Sequence, residues 1–404
     1  MSSSAAVQGQ NADMRLYSHR FLFRVALGAG TVFAWVLLFQ ALFFVSGSRE
    51  TSVTLVALLY ALSQGIAFIL TPLTGAALRR GVRRALVCGT LTAGFAFACM
   101  SLIYAPGFVS NGFAFDMIAG FVILMGLHRA LYWIPYATEQ NMLATHPHSG
   151  SLGFFGETIL SLMPLLGGII IETQGGPGIL FALVSLFILA SLFPISRIPE
   201  SYEGFEWGYG ETLMQLFAPG NRSFLTLSLL DGVQGVTLLL IWPLAAFIIL
   251  GQSFLALGVV LSATFLISSL GRTLVRRILR ALKADRSTSI LAIIAFSSWM
   301  FRLAAASPIQ VILADVYYHA GVPARRFSID TPIFEQSADG GHYIDEYTAL
   351  KEMGMALGRI AASIILAVVC MRFGGVSAFV FAILCAGLAA AASVIISRRL
   401  SRVS

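Results

Sequence analysis

Apolar stretches recur along the whole chain, each long enough to cross a bilayer core, which a helix spans in about 20 residues. Twelve such stretches can be marked, at 21–46, 51–74, 85–104, 112–137, 151–171, 177–195, 223–246, 252–271, 287–305, 308–325, 352–371 and 375–396. Lipid offers the backbone no hydrogen-bond partner, so a spanning segment must be a helix or a strand of a closed barrel. Barrel strands alternate apolar and polar residues, and segments such as 290–296 and 378–384 do not. The pattern therefore predicts an all-α membrane protein with twelve transmembrane helices. Several spans are interrupted by Gly, Pro or a charge, which helices tolerate where neighbours or a watery cavity satisfy the freed backbone.

Charge sets the expected orientation. Arginine marks alternate loops: Arg15, Arg20 and Arg24 before or at the start of span one, then Arg79, Arg80, Arg83 and Arg84 between spans two and three. Arg272, Arg276, Arg277, Arg280, Lys283 and Arg286 lie between spans eight and nine. Arg325, Arg326 and Lys351 lie between spans ten and eleven, and Arg398, Arg399 and Arg402 follow span twelve. The intervening loops hold only Arg49 and Arg372. By the positive-inside rule both termini are expected in the cytoplasm, with the protein in the inner (plasma) membrane. The net charge of +7 is then a product of topology, and no aromatic-interleaved basic surface suggests a nucleic-acid partner. At 57% hydrophobic and 11% charged residues the chain is far from a soluble domain. The first twenty residues hold no apolar run, so no cleavable signal is expected and span one serves as its own insertion signal. Cys88, Cys99, Cys370 and Cys385 all fall inside spans without a C-x-x-C pair, which points to neither disulfide, metal nor cofactor.

The chain also repeats weakly. A span reaching Gly75 leads into the arginine pairs at 79–80 and 83–84, and a span reaching Gly271 leads into Arg276, Arg277 and Arg280. Aromatic clusters mark spans four and ten, and Glu157 and Glu352 lie near the starts of spans five and eleven. The expected division is a cytoplasmic tail at 1–20, a six-helix bundle at 21–195, a cytoplasmic linker at 196–222, a second six-helix bundle at 223–396 and a tail at 397–404. Paired six-span halves of this kind are a transporter pattern.

These features resemble the major facilitator superfamily (MFS). The loop after span two starts at Gly75 and ends in Arg83–Arg84 as the family's loop motif does, with Arg79 where the family has an acid and Gly81 one place early. Pro164 followed by Gly167–Gly168 keeps the end of a motif common in the family's exporters, and Arg129 stands where span four often carries an arginine. The resemblance implies two pseudo-symmetric bundles, alternating access, and a central cavity lined by spans one, four, seven and ten. It also implies a gating role for Gly75, Arg79, Arg80, Arg83 and Arg84, for which keeping the loop in the cytoplasm is the plainer explanation.

A charge in the membrane core costs at least ~2.5 kcal/mol and normally faces a cavity or a partner. Arg129, Asp231 and Asp315 are such charges, with Gln40, Gln234, Tyr132, Trp133 and Trp242 as polar or aromatic neighbours for a substrate or coupling site. Glu157 and Glu352 are candidate proton or gate carboxylates, or simple helix caps. Asp116 and Arg302 are expected to snorkel at the surface. The overall expectation is a monomeric secondary transporter of a small organic solute in the lipid bilayer, with proton coupling and uniport both open. No H-E-x-x-H, G-x-S-x-G or P-loop lysine indicates an enzyme. The rival readings are a polytopic enzyme acting on a lipid-linked substrate, centred on the acidic segment 327–346, and a transporter-like sensor or scaffold.

Overall fold

Long helices make up nearly all of the computed structural model, which describes residues 2–105, 111–143, 151–202, 204–281, 287–320 and 343–400. Spans one to six are the helices Ser2–Ser46, Arg49–Arg80, Val82–Ile103, Asn111–Leu143, Ser151–Ile171 and Gly176–Ala190. Span seven is built in three pieces, Arg222–Val236, a wider π turn at Thr237–Ile241, and Trp242–Ile249. Its interruption lies next to Pro243, which has no N–H to donate to the preceding turn. Spans eight and nine are Phe254–Ala281 and Thr288–Met300, span ten is 308–320 as far as it is described, and spans eleven and twelve are Ile344–Phe373 and Gly375–Leu400. Among the described residues nine helices are long and apolar enough to cross a membrane, and two shorter apolar helices cover Phe155–Ile171 and Thr288–Ala304. Phe95, Ile293, Val368 and Leu388 are more than half exposed, as lipid-facing residues must be. The protein is an integral membrane protein.

Local chemistry explains the helix ends. Span two begins where the Ser48 side chain accepts from the Thr51 N–H, with Glu50 in the first turn. It ends at Gly81, whose φ of 136° only glycine adopts without strain. Gly75 and Gly271 are not helix ends, because their helices continue to Arg80 and Ala281.

Packing follows a rule of six. Span three packs on six and span nine on twelve; one on six and seven on twelve; one on five and seven on eleven. Contact between the two sets runs through span two against eleven and span five against eight, which the same rule exchanges. The arginine-rich loop between spans two and three marks one end of this bundle, called here the arginine end.

Between spans six and seven the chain does not trail away. Residues 196–202 and 204–208 lie against the arginine end, and Tyr209–Phe217 forms a short helix beside it. Leu216 joins Phe224, Leu350 and Met353 in one apolar cluster, while Phe205 joins Leu78, Val82, Ile134 and Ala349 in another.

Candidate functional site

Two buried ionic groups lie within the helices. The first joins the two sets of spans. Arg129 on span four donates through Nη2 to Glu352 on span eleven at 3.1 Å. Two turns along, Arg359 is only 5% exposed and donates through Nη1 to the Gln64 amide oxygen of span two at 3.2 Å. Among the described residues its Nη2 has the Met355 sulfur as hydrogen-bond partner, at 3.8 Å. Asp231 on span seven, Glu352 and Tyr60 act on Arg359 electrostatically. Gln234 places its amide 3.5 Å from both Asp231 and Ser393. Spans two, four, seven and eleven thus contribute to one polar set.

The second group lies within spans seven, nine and ten. Asp315 accepts from Arg302 Nε at 3.0 Å and Nη2 at 2.8 Å, and its other oxygen accepts from Trp242 Nε1 at 3.0 Å. Arg302 lies over the rings of Tyr318, Trp299 and Trp242, at 4.1, 4.5 and 5.0 Å. The Arg302 side chain has no exposed surface, so the expectation that it snorkels at the surface is wrong. Nearness to a helix end was a poor guide, because the side chain turns inward to a carboxylate 13 residues on. Asp116, by contrast, is exposed.

The aromatic candidates divide. Tyr132 is fully buried in the first set of spans, stacked on Phe23 and hydrogen-bonded to His19 at 3.1 Å. Trp133 and Tyr136 hold the Arg20 guanidinium between their rings at 4.9 and 4.8 Å. Glu157 lies 3.4 Å from Arg24 in a half-exposed pair. Gln40 is exposed toward the other end of span one. So the structure brings together Arg129, Glu352, Asp231 and Gln234, and places Asp315 and Trp242 in a separate group.

The arginine end carries a built contact. Arg79 donates to the Phe205 carbonyl at 2.9 Å, and the Phe205 ring occupies the space a Cβ on Gly75 would need. Glu200 pairs with Arg83 at 3.1 Å and Arg84 at 3.5 Å, and its carboxylate lies against the bare face of Gly81. Val82 N–H donates to Ser201, whose hydroxyl donates to Glu139 on span four at 2.8 Å. The same linker also holds the second set of spans. The Glu206 N–H donates to Glu346 at 2.7 Å, Tyr343 donates to Glu206 at 3.1 Å, and Trp207 stacks on Tyr343. The hydrogen bond to Glu206 and the charge of that carboxylate hold the Tyr343 phenol above its usual pKa. Thr138 on span four completes the seam by donating to Asp345 on span eleven at 2.6 Å.

The whole chain has structural counterparts among solved transporters. It superposes on a D-xylose-proton symporter with a TM-score of 0.62 at 18% identity, covering 96% of each chain. It superposes on a POT family transporter, solved in complex with 5-aminolevulinic acid, with a TM-score of 0.60 at 13% identity, again covering 96% of each. The chain has the major facilitator fold. No family model matches it, and no curated protein does. Its major facilitator architecture is therefore carried by structure rather than by sequence likeness.

The MFS-like loop motif gains a specific explanation here. The acid missing at Arg79 has a counterpart in Glu200, which comes from the linker. Sequence reasoning passed over Glu200, Phe205, Gln64 and the Arg302–Asp315 pair. A lone acid or amide facing arginines from a distant segment leaves no periodic signal. Most of the acidic segment 327–346 lies outside the described residues, as do His146 and His148. Its described members Asp345 and Glu346 are buried in the seam. Among the described residues no group of three metal-ligating side chains comes together.

Proposed function

We propose that the protein carries a small organic solute across the cytoplasmic membrane by alternating access of two six-helix halves, at 21–195 and 223–396, with the arginine end inside the cell. The observation that carries this reading is the polar set of Arg129, Gln64, Glu352, Arg359 and Asp231, which draws on both sets of spans deep in an apolar bundle. Charges are kept in such a place when they face a transport path or bridge moving parts. Asp231, Gln234 and Arg129 are the proposed substrate contacts, Glu352 the carboxylate available for coupling, and the Gly75–Arg84 loop with its docked linker the inner gate. A proton-coupled cycle fits a carboxylate placed between the two sets of spans, and the solved symporter gives it a precedent in the same fold.

The test is uptake by proteoliposomes of the purified protein, screened against sugars, amino acids, organic acids and amines, with and without a proton gradient. Arg129→Ala should insert at near-normal levels and lose at least tenfold in rate, since a charge-assisted contact of ~1.5–3 kcal/mol would be gone. Wild-type rates from Arg129→Ala would remove it from the site.

A further inference from the structure

The two buried ionic groups differ in one respect. Arg302 has its counter-charge in direct contact: Nε and Nη2 reach one carboxylate and three aromatic rings surround it, although its Nη1 has no hydrogen-bond partner among the described residues. Arg359 is buried as deeply, yet its hydrogen-bond partners among the described residues are a neutral amide and a thioether. Its Nε has no hydrogen-bond partner among the described residues and is shielded from solvent. A guanidinium is not left this way without cost, because its fork is matched by an oxyanion and remains charged when buried.

The surroundings favour a ligand rather than a missing side chain. Beside that Nε lies Gly235, where a Cβ would stand only 3.2 Å away, so glycine keeps the space open. Arg129, from the other set of spans, also has a buried Nε without a hydrogen-bond partner among the described residues. Glu352 already accepts from Arg129 and acts electrostatically on Arg359. A carboxylate of the protein itself thus pairs with one guanidinium group and lies within electrostatic reach of the other.

We propose that this site binds an oxyanion, a carboxylate or a phosphate, between Arg129 and Arg359, and that Glu352 is the internal carboxylate the solute displaces. The location rests on the transport reading above, whereas the binding chemistry does not. Arg129 and Arg359 are balanced by Glu352 and Asp231 in the resting set. An oxyanion entering there adds a negative charge, so Glu352 must swing away or take a proton. In either case removing its charge strengthens binding. Because the arginines come from opposite halves, a bound oxyanion also draws the halves together.

The experiment is ligand-induced thermal stabilisation of the full-length protein in detergent, using benzoate, inorganic phosphate, glucose and ethanolamine as probes. Benzoate or phosphate should stabilise the wild type, and the one that does so identifies the source of the oxyanion. Arg359→Gln should weaken that binding at least tenfold, the loss expected for a charge-assisted fork. Arg359→Lys should weaken it less and serves where the glutamine variant does not fold, while Glu352→Gln should tighten it. Binding of glucose or ethanolamine without either anion would overturn the proposal. So would anion binding unchanged by both Arg359 variants, or the failure of every probe to bind wild type and Glu352→Gln. Anion binding through Arg359 in a protein that moves no solute would sink the transport reading and leave the oxyanion site standing. Transport of neutral solutes alone would do the reverse.

Discussion

The Arg302–Asp315 pair behaves as part of the framework. Both side chains are almost fully buried within one set of spans, so neither reaches the seam between the sets. Breaking such a pair from one side leaves an uncompensated charge and costs about 3–5 kcal/mol, whereas replacing both partners by apolar residues can be neutral. Asp315→Asn should therefore lower the thermal midpoint and the yield of solubilised protein, and the double change Arg302→Met with Asp315→Leu should restore much of both. An Asp315→Asn protein with normal stability and no transport would place the residue in the solute path instead. The sequence marked Asp315 as a charge in an apolar span but could not show its partner. Depth along a helix can be counted from residues, but the direction of a side chain around it depends on what packs there. The same limit separated Gln40 from the polar set, although it lies on the expected span.

At the scale of elements, the linker decides how the arginine end is held. It supplies Glu200 to Arg83 and Arg84, Phe205 to the bare face of Gly75, and Trp207 to the aromatic side chains of span eleven. Gly75→Val would push the Phe205 ring out of its place and release residues 196–208 from span two. Limited proteolysis should then cut the linker several-fold faster than in wild type, while spans two and three remain inserted. Unchanged cleavage would show that the contact does not hold the linker. Apolar length and arginine placement made the spans legible, because each is coded by its own residues. The docked linker was not, since Glu200 and Phe205 take their meaning from partners more than a hundred positions away.

On the scale of the whole molecule, the two sets of spans meet along two seams. At one, the Cys370 thiol on span eleven lies 3.5 Å from the Glu50 carbonyl of span two, with Thr54 beside it. Thr54→Cys should form a disulfide with Cys370 under mild oxidation. If these helices part during each cycle, the cross-link should stop uptake and a reductant should restore it. Full activity with the bond in place would mean that the seam stays shut. The count and order of the spans follow from hydropathy, but the pairing of two with eleven and five with eight exists only once the helices are assembled.

The seams are not alike. Between spans five and eight, a Cβ at Gly168 would lie 2.7 Å from the Phe254 carbonyl, and one at Gly258 would lie 2.5 Å from that of Pro164. Backbone rests on backbone there, whereas the Arg359–Gln64 contact across spans two and eleven runs through side chains. Side chains can change rotamer as helices separate, but two touching backbones can only turn about their point of contact. The axis of any relative rotation is therefore displaced toward the glycine seam, as a hinge is set at the edge of a door. A small turn there becomes a larger gap at the far seam, so the lumen would open off-centre and first expose the side chains of spans two and eleven.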